Sequence, residues 1–228
     1  MTVIIEMVSD PVCPWCWLGL RRLNAAVAAT PEVDVKLLFR PFELDPSVPA
    51  GGVDYKDYMR TKLGGTGADT EDPKTSRFRA MRQALEQYGE DEGVPFAFNG
   101  ITVRPNTLDA HRLVRWAQGQ GKGAEAKEAL FSAYFRDHRD IGQADILVAV
   151  ADEIGIDGAI VKDLLARGAD VDEVRKEEAV FRQMGISGVP TYVADRSFAL
   201  QGAETLENLQ ALIKRTAGHT PHERPLTG

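Results

Sequence analysis

Sulfur and imidazole are scarce in this chain, with two cysteines and four histidines in 228 residues. A structural zinc site needs about four ligands. No second cysteine pair exists, and His111, His138, His219 and His222 lack the paired spacing of a finger, so no resident metal is expected. A disulfide framework is excluded by the same count: one bridge across so short a loop adds little by chain entropy, and a reducing cytosol opposes it. Net positive charge is missing as well. The formal charge is −7 and short pairs such as Arg21-Arg22 fall within a helical pattern, so no nucleic-acid surface is expected. Long apolar runs are absent too. Residues 146–151 form one of the longest and are far too short to span a bilayer, so no membrane is expected as partner. Strand-like residues begin just after Met1, without the basic, apolar and small-residue succession of a secretory leader, and the expected location is cytoplasmic.

Both thiols are spent on one motif, Cys13-Pro14-Trp15-Cys16, just past an apolar strand and at the start of an amphipathic segment. That placement points to a redox couple. With Cys13 as N-cap of a helix over residues 14–29, Pro14 takes the first helical position, where its missing N–H costs nothing. The N–H groups of Trp15 and Cys16 then point at the Cys13 sulfur, and with the positive end of the helix dipole they favour the thiolate. C-x-x-C cysteines so placed have pKa values of roughly 3.5 to 7. Cys13 is therefore the expected nucleophile. Cys16, one turn further in, is expected to be buried, protonated and able to attack a Cys13 mixed disulfide as the resolving cysteine.

Composition and periodicity supply the frame. Hydrophobic content of 43% supports a core large enough for one domain or for a domain carrying an insertion. Residues 2–8 read as a buried strand and 14–29 as a helix, and Val33, Val35, Leu37 and Phe39 alternate with polar neighbours as in a second strand. From Pro46 to Gly168 the β signal disappears for longer than an ordinary connection lasts. Pro and Gly cluster at residues 47–52 and 64–67. Ala110, Leu113, Val114 and Ala117 then follow helical spacing, as do Ala126, Ala129, Leu130 and Ala133, and Ile146, Ala149, Val150 and Ile154. The aromatic stripe of Phe131, Tyr134 and Phe135 reads as core packing. After the block come a helix over 171–184, strands over 191–194 and 197–201 turned at Asp195-Arg196, and a helix over 204–216 with Leu206, Leu209 and Ile213 on one face. The expected fold class is α/β, with a large all-helical insertion between the two halves of one domain. Residues 1–50 and 169–217 form the discontinuous domain, 51–168 the insertion and 218–228 a fraying tail.

Four segments in order, Ser9-Asp10-Pro11-Val12-Cys13-Pro14-Trp15-Cys16-Trp17-Leu18-Gly19, residues 104–113 (RPNTLDAHRL), residues 186–191 (ISGVPT) and residues 200–203 (LQGA), resemble the DsbA-like thioredoxin-superfamily oxidoreductases of the FrnE type. The resemblance spans nearly the whole chain to about residue 215 and implies a thioredoxin-like fold with a large all-helical insertion between its two halves. It implies that Pro190 is a cis proline facing the C-x-x-C and that the backbone of Val189 pairs with an extended substrate by strand addition. Pro14, Trp15, Val189 and Pro190 are the substrate-contacting set so implied, beside catalytic Cys13 and Cys16. Trp15 and Trp17 offer an apolar landing surface, with Trp17 equally suited to packing against the insertion. Asn106 and His111 lie where an insertion helix faces the cleft. Their local reading is a cap for a helix beginning at Thr107 and a packed imidazole, and neither takes a catalytic role.

Two departures set further expectations. DsbA carries a histidine inside its dipeptide where this chain has Trp15, so a couple less oxidising than that enzyme's is expected. Some FrnE-type proteins carry a further cysteine pair in a C-terminal extension. This chain has none, so turnover draws on another protein or a small thiol. The implied function is thiol–disulfide exchange with protein or small-molecule thiols and disulfides, with no tightly bound cofactor and with glutathione as a reductant or co-substrate. A homodimer is the assembly that relatives of this shape suggest. One alternative is glutathione-dependent isomerisation or conjugation, as in the related 2-hydroxychromene-2-carboxylate isomerases and kappa-class glutathione transferases, where a serine typically stands at the position of Cys13. A holdase or assembly factor is the weaker alternative. Direction of exchange, natural substrate and potential are not written in any motif.

Overall fold

The computed structural model describes residues 2–63 and 73–218. The first strand, β1 (Thr2–Ser9), is an almost unbroken apolar run, buried at all of its last five positions, as a strand covered on both faces must be. It lies inside a four-stranded sheet of order β2-β1-β5-β6. On one side β1 pairs in parallel with β2 (Asp34–Pro41), from Thr2 opposite Asp34 to Ser9 opposite Pro41. On the other it pairs antiparallel with β5 (Thr191–Ala194), with Val8 opposite Thr191. The edge strand β6 (Phe198–Gln201) pairs antiparallel with β5. Between β5 and β6, Asp195 and Arg196 both have positive φ, the backbone that a tight hairpin turn requires.

The parallel β1–β2 step needs a crossover, and α1 (Pro14–Ala28) supplies it. Between β2 and α8 (Val171–Gln183) lie α2 (Tyr55–Leu63), α3 (Pro73–Glu92), α4 (Leu108–Gly119), α5 (Gly123–Phe135), α6 (Ala144–Glu153) and α7 (Gly158–Ala166). This stretch is not all-helical, however. Val53–Asp54 (β3) and Val103–Arg104 (β4) pair antiparallel as a two-residue ribbon. Two residues per strand are too few to display a period of two, so the ribbon left no trace in the hydrophobic pattern. The glycines at 64–67 and the tail residues 219–228, including His219 and His222, lie outside the described residues.

A single apolar cluster runs from β1 through α1 into α4, α5 and α6. The final helix, α9 (Leu206–Ala217), packs against α1, β1, β5 and β6, while α4, α5 and α8 meet β2. Phe131, Tyr134 and Phe135 are buried in this cluster, as their spacing implies. The seam between α1 and the intervening helices is aromatic: Trp17 stacks on Phe131 and Phe135 at 6.1 and 6.0 Å and meets Phe96 edge-on at 5.4 Å. Its indole N–H donates to Glu128 at 3.0 Å. This side chain helps fasten the helix carrying the cysteines to the block inserted after β2, beside the ion pairs of Arg21 with Glu128 and Arg22 with Glu92. Among the described residues no helix is long and apolar enough to cross a membrane.

Candidate active site

The chain leaves β1 at Ser9, turns through Asp10-Pro11-Val12 and enters α1, with Cys13 in extended backbone as the N-cap and Pro14 at the first helical position. Asp10 holds the turn. Its carboxylate is wholly buried and accepts the Val12 N–H at 3.3 Å and the Leu44 N–H at 2.7 Å, while its carbonyl accepts the Cys13 N–H at 3.0 Å. Burial raises the Asp10 pKa against the opposing pull of Arg104, of these amides and of Lys127. Because β5 starts opposite Val8, the turn before it comes alongside the cysteines. The Val189–Pro190 peptide bond in that turn is cis. Gly19 makes the close approach of α1 to this turn feasible: a Cβ there would overlap the Tyr192 hydroxyl and lie 3.0 Å from Pro190 Cγ.

Cys13 is 5% exposed and Cys16 fully buried, and both are free thiols. The Cys13 thiol donates to the Val189 carbonyl at 3.7 Å. This corrects the expected cap geometry. The Cys13 side chain accepts no cap hydrogen bond, and the Cys16 N–H goes instead to the Cys13 carbonyl oxygen at 3.0 Å. A carbonyl is a stronger acceptor than sulfur, and a thiol has a hydrogen of its own to place, which Val189 receives. Cys16 has its pKa pushed well above the ordinary thiol value, first by burial and then by the hydrogen bond and charge of Cys13. Lys127 of α5 opposes that rise. It is buried, its ammonium lies 4.9 Å from the Phe131 ring, and burial lowers its pKa to about 8 against the charges of Cys16, Asp10 and Cys13. Burial thus presses Cys16 to keep its proton and Lys127 to release its own within one dry region, and perturbed groups of this kind cluster at functional sites.

Lys127 was not singled out by the sequence, although its spacing to Leu130, Phe131 and Tyr134 puts it on the apolar face of α5. Pro14 and Trp15 are half-buried beside Cys13, and Trp15 meets Tyr88 of α3 edge-on at 6.3 Å. Trp17 is fully buried and forms no landing surface. Asn106 is held structurally: its side-chain oxygen accepts the Leu108 N–H at 3.0 Å and its amide donates to the Val48 carbonyl at 2.8 Å. α4 begins at Leu108, one residue later than expected, and Thr107, its formal cap, gives no side-chain hydrogen bond. His111 is buried, bonded to the Phe42 backbone, with its pKa pushed well down by burial and by Lys127.

Comparison with known proteins agrees with this architecture. The DSBA-like thioredoxin domain family matches residues 4–214. The uncharacterized protein YwbO of Bacillus subtilis (strain 168) is 30% identical over 194 residues, which is 85% of this chain and 87% of that protein. A crystal structure of a probable DsbA oxidoreductase, SCO1869 from Streptomyces coelicolor, superposes with a TM-score of 0.85 at 29% identity, covering 97% of this chain and 93% of that one. A 2-hydroxychromene-2-carboxylate isomerase shares the fold, with a TM-score of 0.70 at 14% identity over 94% and 96% of the two chains. A match over almost the whole chain, residues 4–214, places this protein in the DSBA-like thioredoxin domain family.

Proposed function

We propose that the protein is a thiol–disulfide oxidoreductase in which Cys13 is the nucleophile and Cys16 the resolving cysteine. In the reducing direction the Cys13 thiolate attacks one sulfur of a substrate disulfide. A Cys13–substrate disulfide forms and the first thiolate leaves with a proton. Cys16 then gives up its proton and attacks Cys13 Sγ, closing the Cys13–Cys16 disulfide and releasing the second thiol. Two electrons pass from the dithiol to the substrate, and the reverse sequence oxidises a substrate dithiol. One observation carries this reading: the nearly buried Cys13 thiol lies against the Val189 carbonyl and within hydrogen-bonding reach of a Cys16 thiol held protonated by burial. The thiol occupies the acceptor that strand addition would use, so an extended substrate chain at Val189 would arrive beside the reacting sulfur. Half-buried Pro14 and Trp15 flank the same point, and Pro190 closes it from the β5 side.

The partners of this reading are protein or small-molecule thiols and disulfides, with glutathione as reductant or co-substrate and no tightly bound cofactor. A cytoplasmic setting and a homodimer belong to the same proposal. The isomerase reading is weaker on chemical grounds, since Cys13 would exchange with oxidised glutathione, forming a mixed disulfide and releasing one reduced glutathione, rather than merely supporting a bound thiolate. The test is Cys16→Ser incubated with oxidised glutathione and, separately, with insulin, followed by intact mass measurement. A stable adduct mapped to Cys13 is expected. An unmodified Cys13 after exposure to both disulfides overturns the proposal, because neither an isomerase nor a holdase needs that intermediate. Equilibration of wild type in glutathione buffers then reads the potential, expected below the roughly −120 mV of DsbA.

A further inference from the structure

Beside the cysteines, a cavity of about 120 Å³ opens between the C-x-x-C turn, α2, α3 and the β4–α5 region. Val12 and Pro14, the chain neighbours of Cys13, both line it. Its walls are otherwise soft and aromatic, with Met59 and Met81 facing Phe78 and Phe98. Such walls suit a ring or a short acyl chain. The charged groups that line it are both guanidiniums, Arg82 and Arg104, and no carboxylate joins them.

Arg82 already has partners, in Glu86 at 3.1 Å and Asn99 at 2.6 Å. Arg104 does not. It is 7% exposed, its Nε has no hydrogen-bond partner among the described residues, and its one hydrogen bond among them is a long one of 3.5 Å to the Val12 carbonyl. The Tyr58 ring lies 5.2 Å from its guanidinium carbon. No carboxylate lies within ion-pair distance of it among the described residues, and buried Asp10 feels its charge only from farther off. A buried cation with an unused donor is costly unless something anionic completes it. A planar guanidinium edge matches a carboxylate best.

We infer that this cavity binds a small apolar molecule with a single carboxylate, held by Arg104, and that the substrate class of the neighbouring cysteines is a small thiol or disulfide of that kind. The inference rests on the disulfide-exchange reading and adds to it the body and charge of the substrate. The reaction it specifies is balanced: reduced protein and an aryl disulfide give the Cys13–Cys16 disulfide and two aryl thiols, with two electrons passing from protein to substrate.

The test uses a matched pair of probes, bis(3-carboxyphenyl) disulfide and its uncharged analogue bis(3-carbamoylphenyl) disulfide, in single turnovers of the fully reduced protein followed by aryl thiol release. Each rate is divided by that of free dithiothreitol with the same probe, which removes intrinsic reactivity. The corrected rate for the carboxylate should exceed that for the amide by at least about tenfold, equivalent to ~1.4 kcal/mol, and Arg104→Gln should bring the ratio close to one. Benzoate should slow the wild-type reaction with the carboxylate probe and benzamide should not, a readout that stands even where the Arg104 variant does not fold. Equal corrected rates in wild type, an unchanged ratio in the variant, or equal action of benzoate and benzamide each overturn the assignment. Failure of the Cys16→Ser trap with every disulfide sinks the exchange reading itself. A working trap without charge preference removes only the pocket's role.

Discussion

Replacing Lys127 with methionine tests the electrostatics beneath the cysteines, because methionine keeps the length of the stem and deletes the charge. Lys127 titrates at about 8 in the folded protein against an ordinary 10.5, a lowering caused first by burial. Each unit of such a shift corresponds to about 1.4 kcal/mol, so the ammonium costs the fold roughly 3 kcal/mol. The sign follows from proton counting. Below pH 8 the lysine is charged in both folded and unfolded chains, and the full cost is present. Between pH 8 and 10.5 the unfolded chain holds a proton that the folded chain has released, so stability rises with pH. Above 10.5 the side chain is neutral in both states and the cost is gone. Wild type should therefore gain about 3 kcal/mol on the variant between pH 7 and 10.5. The measurement is urea unfolding of both proteins in the disulfide form, which removes the thiols from the titration. Without their charges, which support the ammonium, the window opens at or below pH 8. A stability difference that stays flat across this range would refute the reasoning. In the reduced protein the same charge lowers the Cys16 pKa, so the variant should also resolve the Cys13–glutathione disulfide more slowly at pH 7.

Trp17→Ala removes the stack on Phe131 and Phe135 and should lower the unfolding free energy by ~3–5 kcal/mol; a loss under about 1 kcal/mol by urea unfolding would mean that the seam does not fasten α1. Gly19→Ala forces a Cβ into the Tyr192 hydroxyl and should cost about 1–3 kcal/mol. Tyr192→Phe in the same background should recover much of that loss, and alone should be neutral or stabilising, since the hydroxyl is buried without a partner among the described residues; a double-mutant cycle with no coupling contradicts the contact. Asn106→Ala deletes the bonds to Val48 and Leu108 and should cost roughly 1–2 kcal/mol while leaving the rate of exchange with oxidised glutathione unchanged. A variant of wild-type stability but impaired exchange would return Asn106 to the substrate cleft.

What the chain disclosed on its own divides along physical lines. Features written by local periodicity were legible. The apolar run of β1, the helix begun by Cys13-Pro14 and the stripes of α4 and α5 stand within a residue or two of the positions their spacing implies. Two-residue ladders are invisible to that method, which is why β3 and β4 were absent from the sequence reading. Features that depend on a distant partner were legible only as alternatives. Trp17 satisfied a landing surface and a packed seam equally well until Phe96, Phe131 and Phe135, all distant in sequence, were brought around it.

The electrostatic half of the site was the least legible, for one reason common to Lys127 and Arg104. A charged side chain is ordinarily read as solvated, because desolvating it costs several kcal/mol, and only tertiary structure reveals that the cost has been accepted. Lys127 sits at a buried position of α5, where its charge is answered by Asp10 and the two thiols. Arg104 sits in a two-residue strand, between a tyrosine ring and an apolar cavity, where buried Asp10 feels its charge but no carboxylate among the described residues lies within ion-pair distance. The two buried cations therefore make different demands. One lies among the thiols and tunes the leaving proton of Cys16, whereas the other keeps an unpaired donor beside the cavity, which a ligand carboxylate would complete. That asymmetry is why the lysine is expected to act on every substrate alike and the arginine to discriminate between a carboxylate and its amide.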